Sequence, residues 1–175
     1  SAAAAAQAPQ APPFRNPDLS ADERLTNMLS LMTPDEKLQA LGGFGSGVPR
    51  LGVPGFGASE GIHGLVQRGM PERNVPPITT TQFPQPPGMG STWNPDLVRR
   101  AGGVQGREAR YITQSGKSVF PMLMVWGPQA DLARDPRWGR AEEVYGEDPF
   151  LNGVMATAFA RGIQGDDPKY WQAAP

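Results

Sequence analysis

Arg134-Asp135-Pro136-Arg137-Trp138-Gly139-Arg140-Ala141-Glu142-Glu143-Val144-Tyr145-Gly146-Glu147-Asp148-Pro149 is the stretch around which the chain is organised. Its sixteen residues hold three arginines, five carboxylates, two aromatics, two prolines and two glycines. Proline fixes φ, and glycine admits φ > 0 or close backbone approach, so such a loop holds charged groups in set positions. A planar guanidinium binds a carboxylate or a pair of hydroxyls through two parallel hydrogen bonds. The plain reading of these charges is an Arg–carboxylate network that stiffens the loop. The sharper reading turns at least one arginine towards a ligand.

Immediately upstream, Val119-Phe120-Pro121-Met122-Leu123-Met124-Val125-Trp126 is a continuous apolar run of strand length, the pattern of a strand buried on both sides. Downstream, Asp148-Pro149 opens a helix through about Gly162, with Leu151, Val154, Met155, Ala158 and Phe159 inward. Strand, long loop and helix in that order predict parallel βα units. Earlier in the chain, Asn94 before Pro95 and Asp96 opens a longer helix whose apolar side is Leu97, Val98, Ala101, Val104, Ala109 and Ile112. Gly102, Gly103 and Gly106 each cost about 1 kcal/mol relative to alanine inside a helix. Close packing against a sheet is the expected compensation. Short strands are predicted over 53–58 and 82–85. Two capping boxes, Ser20 to Glu23 and Thr33 to Glu36, open short helices. Leu25, Met28, Leu29 and Met32 stripe the first, while Leu38 and Leu41 of the second face inward. Gly43-Phe44-Gly45-Ser46-Gly47 lacks both the G-x-G-x-x-G spacing and a Gly-Lys-Ser/Thr ending, and reads as a flexible connection.

Arg-Asp-Pro-Arg-Trp-Gly-Arg followed by E-x-Y-G-E-D-P resembles the loop after the third strand of the N-terminal barrel in glycoside hydrolase family 3. The resemblance extends through Val48–Pro54, Phe83-Pro84-Gln85, Ser91-Thr92-Trp93-Asn94-Pro95 and Gly162–Pro168, and covers roughly residues 20 to 175. It implies an α/β fold, the N-terminal portion of a (β/α)8 TIM-like barrel that is incomplete in this chain. It also implies a division into an Ala/Pro-rich disordered tail over 1–18 and the first part of the barrel domain over 19–175.

In a βα barrel the site forms at the C-terminal ends of the strands. Glu60 lies just beyond the strand predicted at 53–58, with His63 three residues later. By resemblance, Glu60 is the carboxylate that grips the far side of the terminal sugar. Arg140 is the arginine that donates to its hydroxyls. His63, Arg137 and Trp138 are further candidates for substrate contact or support. Arg134 and Arg137 are otherwise expected to pair with Glu142, Glu143, Glu147 or Asp148. His63, the only histidine, is more simply a hydrogen-bonded packing residue than a catalyst. Core packing is the default for Trp93, Trp126 and Trp138.

A retaining glycosidase needs two carboxyl groups about 5–5.5 Å apart. The resemblance places the nucleophile and the acid/base beyond Pro175, so no residue of this chain is assigned a catalytic role. The remaining C-terminal part of the enzyme, in the same or a separate chain, is the expected partner. The implied activity is removal of one sugar from a non-reducing end. β-Glucosidase is the first expectation, with β-xylosidase/α-arabinofuranosidase second, because glutamate at position 60 would crowd a C6 hydroxymethyl group. A non-catalytic carbohydrate-binding relative is the alternative from another class.

Composition narrows the rest. Net charge is −1 and the pI about 5.8, which argues against a nucleic-acid or anionic-membrane surface. One histidine and no cysteine speak against zinc, and the acidic residues miss the calcium-loop spacing, so neither a metal nor a cofactor is expected. No apolar run reaches the ~18 residues of a membrane span. The small-residue N-terminus resembles a mature end left by export, which suggests a periplasmic or secreted protein.

Overall fold

The computed structural model describes residues 11–42, 45, 47–67, 69, 74, 76–116, 118 and 122–175. Two parallel strands lie at its centre, β1 (Ala58–Glu60) and β2 (Met124–Trp126), in the register Ala58 to Met124, Ser59 to Val125 and Glu60 to Trp126. The backbone at Ala174 joins the other edge of β2. Val125 N donates to Ala174 O, and Ala174 N to Leu123 O, each at 2.7 Å. Strand, crossover, strand, crossover and returning backbone therefore advance in one direction, as expected of βα units.

Both strands are short, and their positions correct the sequence reading. Val53 belongs to a tight antiparallel exchange with Val48, whose N–H donates to Val53 O at 2.8 Å. The enclosed 3-10 turn Pro49–Leu51 closes at Gly52, whose φ of 63° suits glycine. The strand expected over 53–58 thus begins only at Ala58. Over 82–85 no strand forms. Phe83 N reaches His63 O at 2.7 Å, but prolines 84, 86 and 87 offer no ladder donors and helix α3 (Pro86–Gly90) follows. Of the run expected over 119–126, residues 119–121 lie outside the described residues. In the remainder only Val125 is fully buried, and Trp126 is half exposed.

The helices start where local chemistry predicts. Helix α1 (Ala21–Leu31) and helix α2 (Pro34–Ala40) each begin with a complete capping box. The Asn94 side chain accepts from Leu97 N at 3.0 Å to open α4 (Pro95–Gln114). That of Asp148 accepts from Leu151 N at 2.6 Å to open α5 (Pro149–Gln164). The first two helices do not bury the face expected of them. Leu38 and Leu41 are 67% and 82% exposed, and Leu25 and Leu29 are about half exposed. Helix α1 packs chiefly on the 3-10 turn Pro13–Arg15 through the buried Phe14, which is too narrow to cover the stripe. That turn lies within the stretch expected as a tail over 1–18. Residues 1–10 lie outside the described residues, while Arg15 Nη2 donates to the carbonyls of Leu51 and Gly52 at 2.9 and 2.8 Å.

The main core lies between α4, α5 and the sheet, and includes Val98, Ala109, Ile112, Val125, Met155, Phe159 and Ile163. Its closest seam joins the two helices. A Cβ placed on Gly102 would stand 2.3 Å from Phe159 O, and one on Gly106 2.4 Å from Ile163 O. From the other side, a Cβ on Gly162 would stand 2.1 Å from Arg99 O. The glycines that weaken α4 therefore allow a helix, and not the expected sheet, to approach to backbone contact.

Candidate functional site

The C-terminal ends of β1 and β2 open into a cavity of about 460 Å³ lined by Glu60, His63, Gln82, Gln85, Trp126, Arg140 and neighbouring residues. Glu60 is the last residue of β1, not a residue beyond it, and stands in register with Trp126, the last of β2. The backbone after Glu60 is held on several sides. Gly61 N donates to Trp126 O at 3.0 Å, and Gly61 O accepts from Gln105 Nε2 at 2.6 Å. Val66 N returns to Glu60 O at 2.9 Å, and Ser59 Oγ donates to Val66 O at 3.0 Å. This turn cannot slide without breaking buried hydrogen bonds.

His63 Nδ1 lies 3.2 Å from Phe83 O. A carbonyl only accepts, so Nδ1 carries the proton, and a neutral ring keeps Nε2 as an acceptor. The residue is half-buried and lines the cavity.

Arg140 enters from the signature loop, which turns there into the 3-10 segment Ala141–Glu143. Its Nε and Nη2 donate to one oxygen of Glu143, Oε2, at 2.8 and 2.5 Å. That hydrogen-bonded carboxylate, then its charge and that of Asp131, holds the guanidinium pKa above its ordinary value. Glu60 and Arg140, eighty residues apart, thus line the same cavity.

Arg137 and Trp138 do not join them. Arg137 forms a two-pronged ion pair with Asp135 of its own loop, Nε to Oδ1 at 2.9 Å and Nη2 to Oδ2 at 2.6 Å. The Arg137 hydrogen bond keeps the Asp135 carboxyl below its usual range. The pairing expected of Arg137 with Glu142, Glu143, Glu147 or Asp148 is replaced by this more local one, because a turn through Trp138 N and Asp135 O folds the loop back. Neither Arg137 nor Trp138 lines the cavity.

Sequence reasoning assigned Trp126 to the core, where the structure leaves it half exposed, and did not single out the Gln85 and Gln105 side chains. Trp126 carried a usable signal, since it ends a strand just as Glu60 does. Gln105 carried another, falling on the buried stripe of Val98, Ala101, Ala109 and Ile112 at helical spacing. Gln85 carried none, because its approach depends on the chain crossing beside His63.

Among the described residues, no group of three His, Cys, Asp or Glu side chains is placed to hold a metal ion. No described helix is long and apolar enough to cross a membrane.

Comparison with known proteins gives consistent results. The model of the glycosyl hydrolase family 3 N-terminal domain matches residues 44–170. A xylan 1,4-beta-xylosidase of Xylanibacter ruminicola is 36% identical over 167 residues, covering 90% of this chain and 18% of the relative. A probable beta-D-xylosidase 7 of Arabidopsis thaliana is 37% identical over 155 residues, covering 87% of this chain and 20% of the relative. Among solved structures, an exo-beta-xylosidase of this family, XlnD, in complex with a xylobiose aziridine probe, superposes with a TM-score of 0.75 at 31% identity. That match covers 89% of this chain and 20% of the other. Beta-glucosidase 3B of Thermotoga neapolitana, bound to glucose, gives 0.69 at 30% identity, covering 81% and 21%. The chain spans about a fifth of the length of the curated relatives it matches.

Proposed function

The chain belongs to glycosyl hydrolase family 3, and from that premise we propose that it is the opening part of the catalytic barrel of an exo-acting β-xylosidase. The observation that carries this reading is the convergence of Glu60 and Arg140 on one cavity at the strand ends. A carboxylate accepts from neighbouring hydroxyls and a guanidinium donates to them, so the pair can grip a terminal sugar from two sides. Trp126, half exposed at the same strand edge, adds an apolar ring face. Further strands and helices from the rest of the enzyme complete the barrel, and they bring the nucleophile and the acid/base.

The first expectation, a glucoside, gives way to a xyloside. Glutamate reaches one methylene farther than aspartate, into space that the C6 hydroxymethyl of glucose would need. The relatives support this order, since the two described above are named as xylosidases. β-Glucosidase is the second reading, favoured by the likeness to the glucose-bound enzyme at nearly the same TM-score.

The deciding experiment is kcat/KM of the complete enzyme on 4-nitrophenyl β-xyloside, β-glucoside and α-arabinofuranoside. The β-xyloside should be preferred over the β-glucoside by ~10-fold or more, the scale on which one small substituent is discriminated. A preference for the glucoside would reverse the assignment. Absence of hydrolysis with retained xylose binding would point to a binding relative.

A further inference from the structure

An arginine on a loop has a long flexible stem, and its fork is useful to a sugar only if something holds it still. In this chain that something is Glu143. One oxygen, Oε2, accepts from both Nε and Nη2 of Arg140. This side-on grip occupies the Nε edge of the guanidinium and leaves the two Nη1 hydrogens uncommitted to Glu143. The backbone fixes the pair as well, because Glu143 N donates to Arg140 O at 3.0 Å across one 3-10 turn. Both side chains line the cavity, and the Glu143 side chain is the more buried, 22% exposed against 55% for Arg140. An exposed ion pair three residues apart contributes little to stability. Its consequence therefore lies in where it puts the guanidinium.

We propose that Glu143 is a positioning residue for substrate recognition, holding Arg140 by its Nε edge so that the Nη1 end meets the sugar hydroxyls. The inference rests on the reading of Arg140 as a sugar ligand.

The test is a mutant cycle in the complete enzyme, read as kcat/KM on 4-nitrophenyl β-xyloside together with Tm. Glu143→Leu removes the acceptor and should lower kcat/KM by ~10- to 100-fold, the scale of a small misplacement of a catalytic-site group. Glu143→Gln keeps a neutral acceptor and should recover part of the loss. The decisive measurement is the double variant with Arg140→Ala. If Glu143 acts through Arg140, the double variant is no slower than Arg140→Ala alone, because residues in one interaction are not additive. A merely structural role would lower Tm and multiply the two losses, which would overturn the proposal. Wild-type or raised activity in both Glu143 variants would also overturn it, a rise meaning that the carboxylate competes with substrate. If Arg140→Ala itself keeps wild-type kcat/KM, the reading of Arg140 fails first. That outcome differs from an impaired Arg140→Ala beside intact Glu143 variants, in which only the positioning role fails.

Discussion

Gln105 Nε2 donates to Gly61 O at 2.6 Å, tying the middle of helix α4 to the backbone immediately after Glu60. Gln105 is fully buried, and its Oε1 has no hydrogen-bond partner among the described residues. A Cβ on Gly61 would lie 2.2 Å from that amide nitrogen and 2.4 Å from Val125 Cγ1. The strand end, the helix and the site are therefore locked at one point, and glycine at 61 is what lets them meet.

Gln105→Leu separates position from stability. It leaves the Gly61 carbonyl unpaired, a cost of ~1–3 kcal/mol, but it also removes the orphaned Oε1, whose penalty is of the same order. Tm of the complete enzyme should change little, while kcat/KM falls as the turn holding Glu60 loosens. Unchanged kinetics would show that the Gln105 tether does not set the Glu60 position.

The glycines of the helix seam divide into two kinds. Gly102→Ala, Gly106→Ala and Gly162→Ala each drive a methyl into the facing helix backbone, which cannot swing aside as a side chain would. Each should destabilise by ~3 kcal/mol or more, at the upper end of overpacking costs. At Gly103 the nearest atom to an added Cβ is 3.6 Å away, and at Gly153 nothing lies within 4 Å. Gly103→Ala and Gly153→Ala should stabilise by ~1 kcal/mol through helix propensity alone. Thermal melts of the five variants decide the matter, and equal effects at all five positions would refute the close seam.

What was legible in the sequence was local. Ser20 with Glu23, Thr33 with Glu36, Asn94 and Asp148 cap their own helices within a few residues, so the starts needed no tertiary knowledge. The strand placement was not local. Val53 looks like a strand opener until Val48 takes both its hydrogen-bonding groups, and that pairing depends on the turn between them. The glycines of α4 announced close packing, but only the position of α5 tells that the neighbour is a helix. In the site, the resemblance singled out Glu60 and Arg140, and the fold brings both to one cavity. Arg137 was mispaired because the choice among the five carboxylates of the loop is made by the fold of the loop.

Arg140 and Arg137 offer a contrast inside that loop. Arg140 lines the cavity and Arg137 does not, although both guanidiniums are engaged by a carboxylate. Arg140→Ala should lower kcat/KM by ~10²-fold, the usual loss of a donor whose bond strengthens in the transition state. Arg137→Ala should remain within a few-fold of wild type. Parallel losses in both would mean that the arginines act by stiffening the loop and not by contact.

Acid should leave one surface tether intact longer than a free carboxylate would allow. Arg50 reaches Glu36 through Nε and Nη2 at 3.0 and 2.8 Å, and also donates to Leu31 O at 2.7 Å. Its hydrogen bonds, followed by that from Thr33 N, lower the Glu36 pKa from 4.5 to about 2. A depressed carboxylate contributes its full stabilisation above the unfolded pKa and loses it as pH falls through the folded one. The contribution should therefore be complete above pH 4.5 and decline towards pH 2. Because the pair is solvent-exposed, high salt should weaken it. NMR titration of the Glu36 carboxyl should give a midpoint near 2 that rises in Arg50→Met; an unshifted midpoint in the variant would remove Arg50 as the cause.

Glu60→Asp tests whether the length of one side chain selects the sugar. Glu60 ends β1, and its backbone is pinned by Trp126 O through Gly61 and by Val66, so the carboxylate position follows from side-chain length. Shortening it by one methylene withdraws the carboxylate from the space proposed for the C6 group. Action on the aryl β-glucoside should then rise relative to the β-xyloside, by ~10-fold if one methylene of room is what discriminates. The xyloside rate itself should fall, because the shorter acid no longer reaches its hydroxyls at hydrogen-bonding distance. Glu60→Gln separates size from charge. It keeps the length, so the glucoside-to-xyloside ratio should hold while both rates drop. A ratio that stays constant in Glu60→Asp would mean that discrimination lies elsewhere in the cavity, with the neighbouring Trp126 ring the next residue to vary.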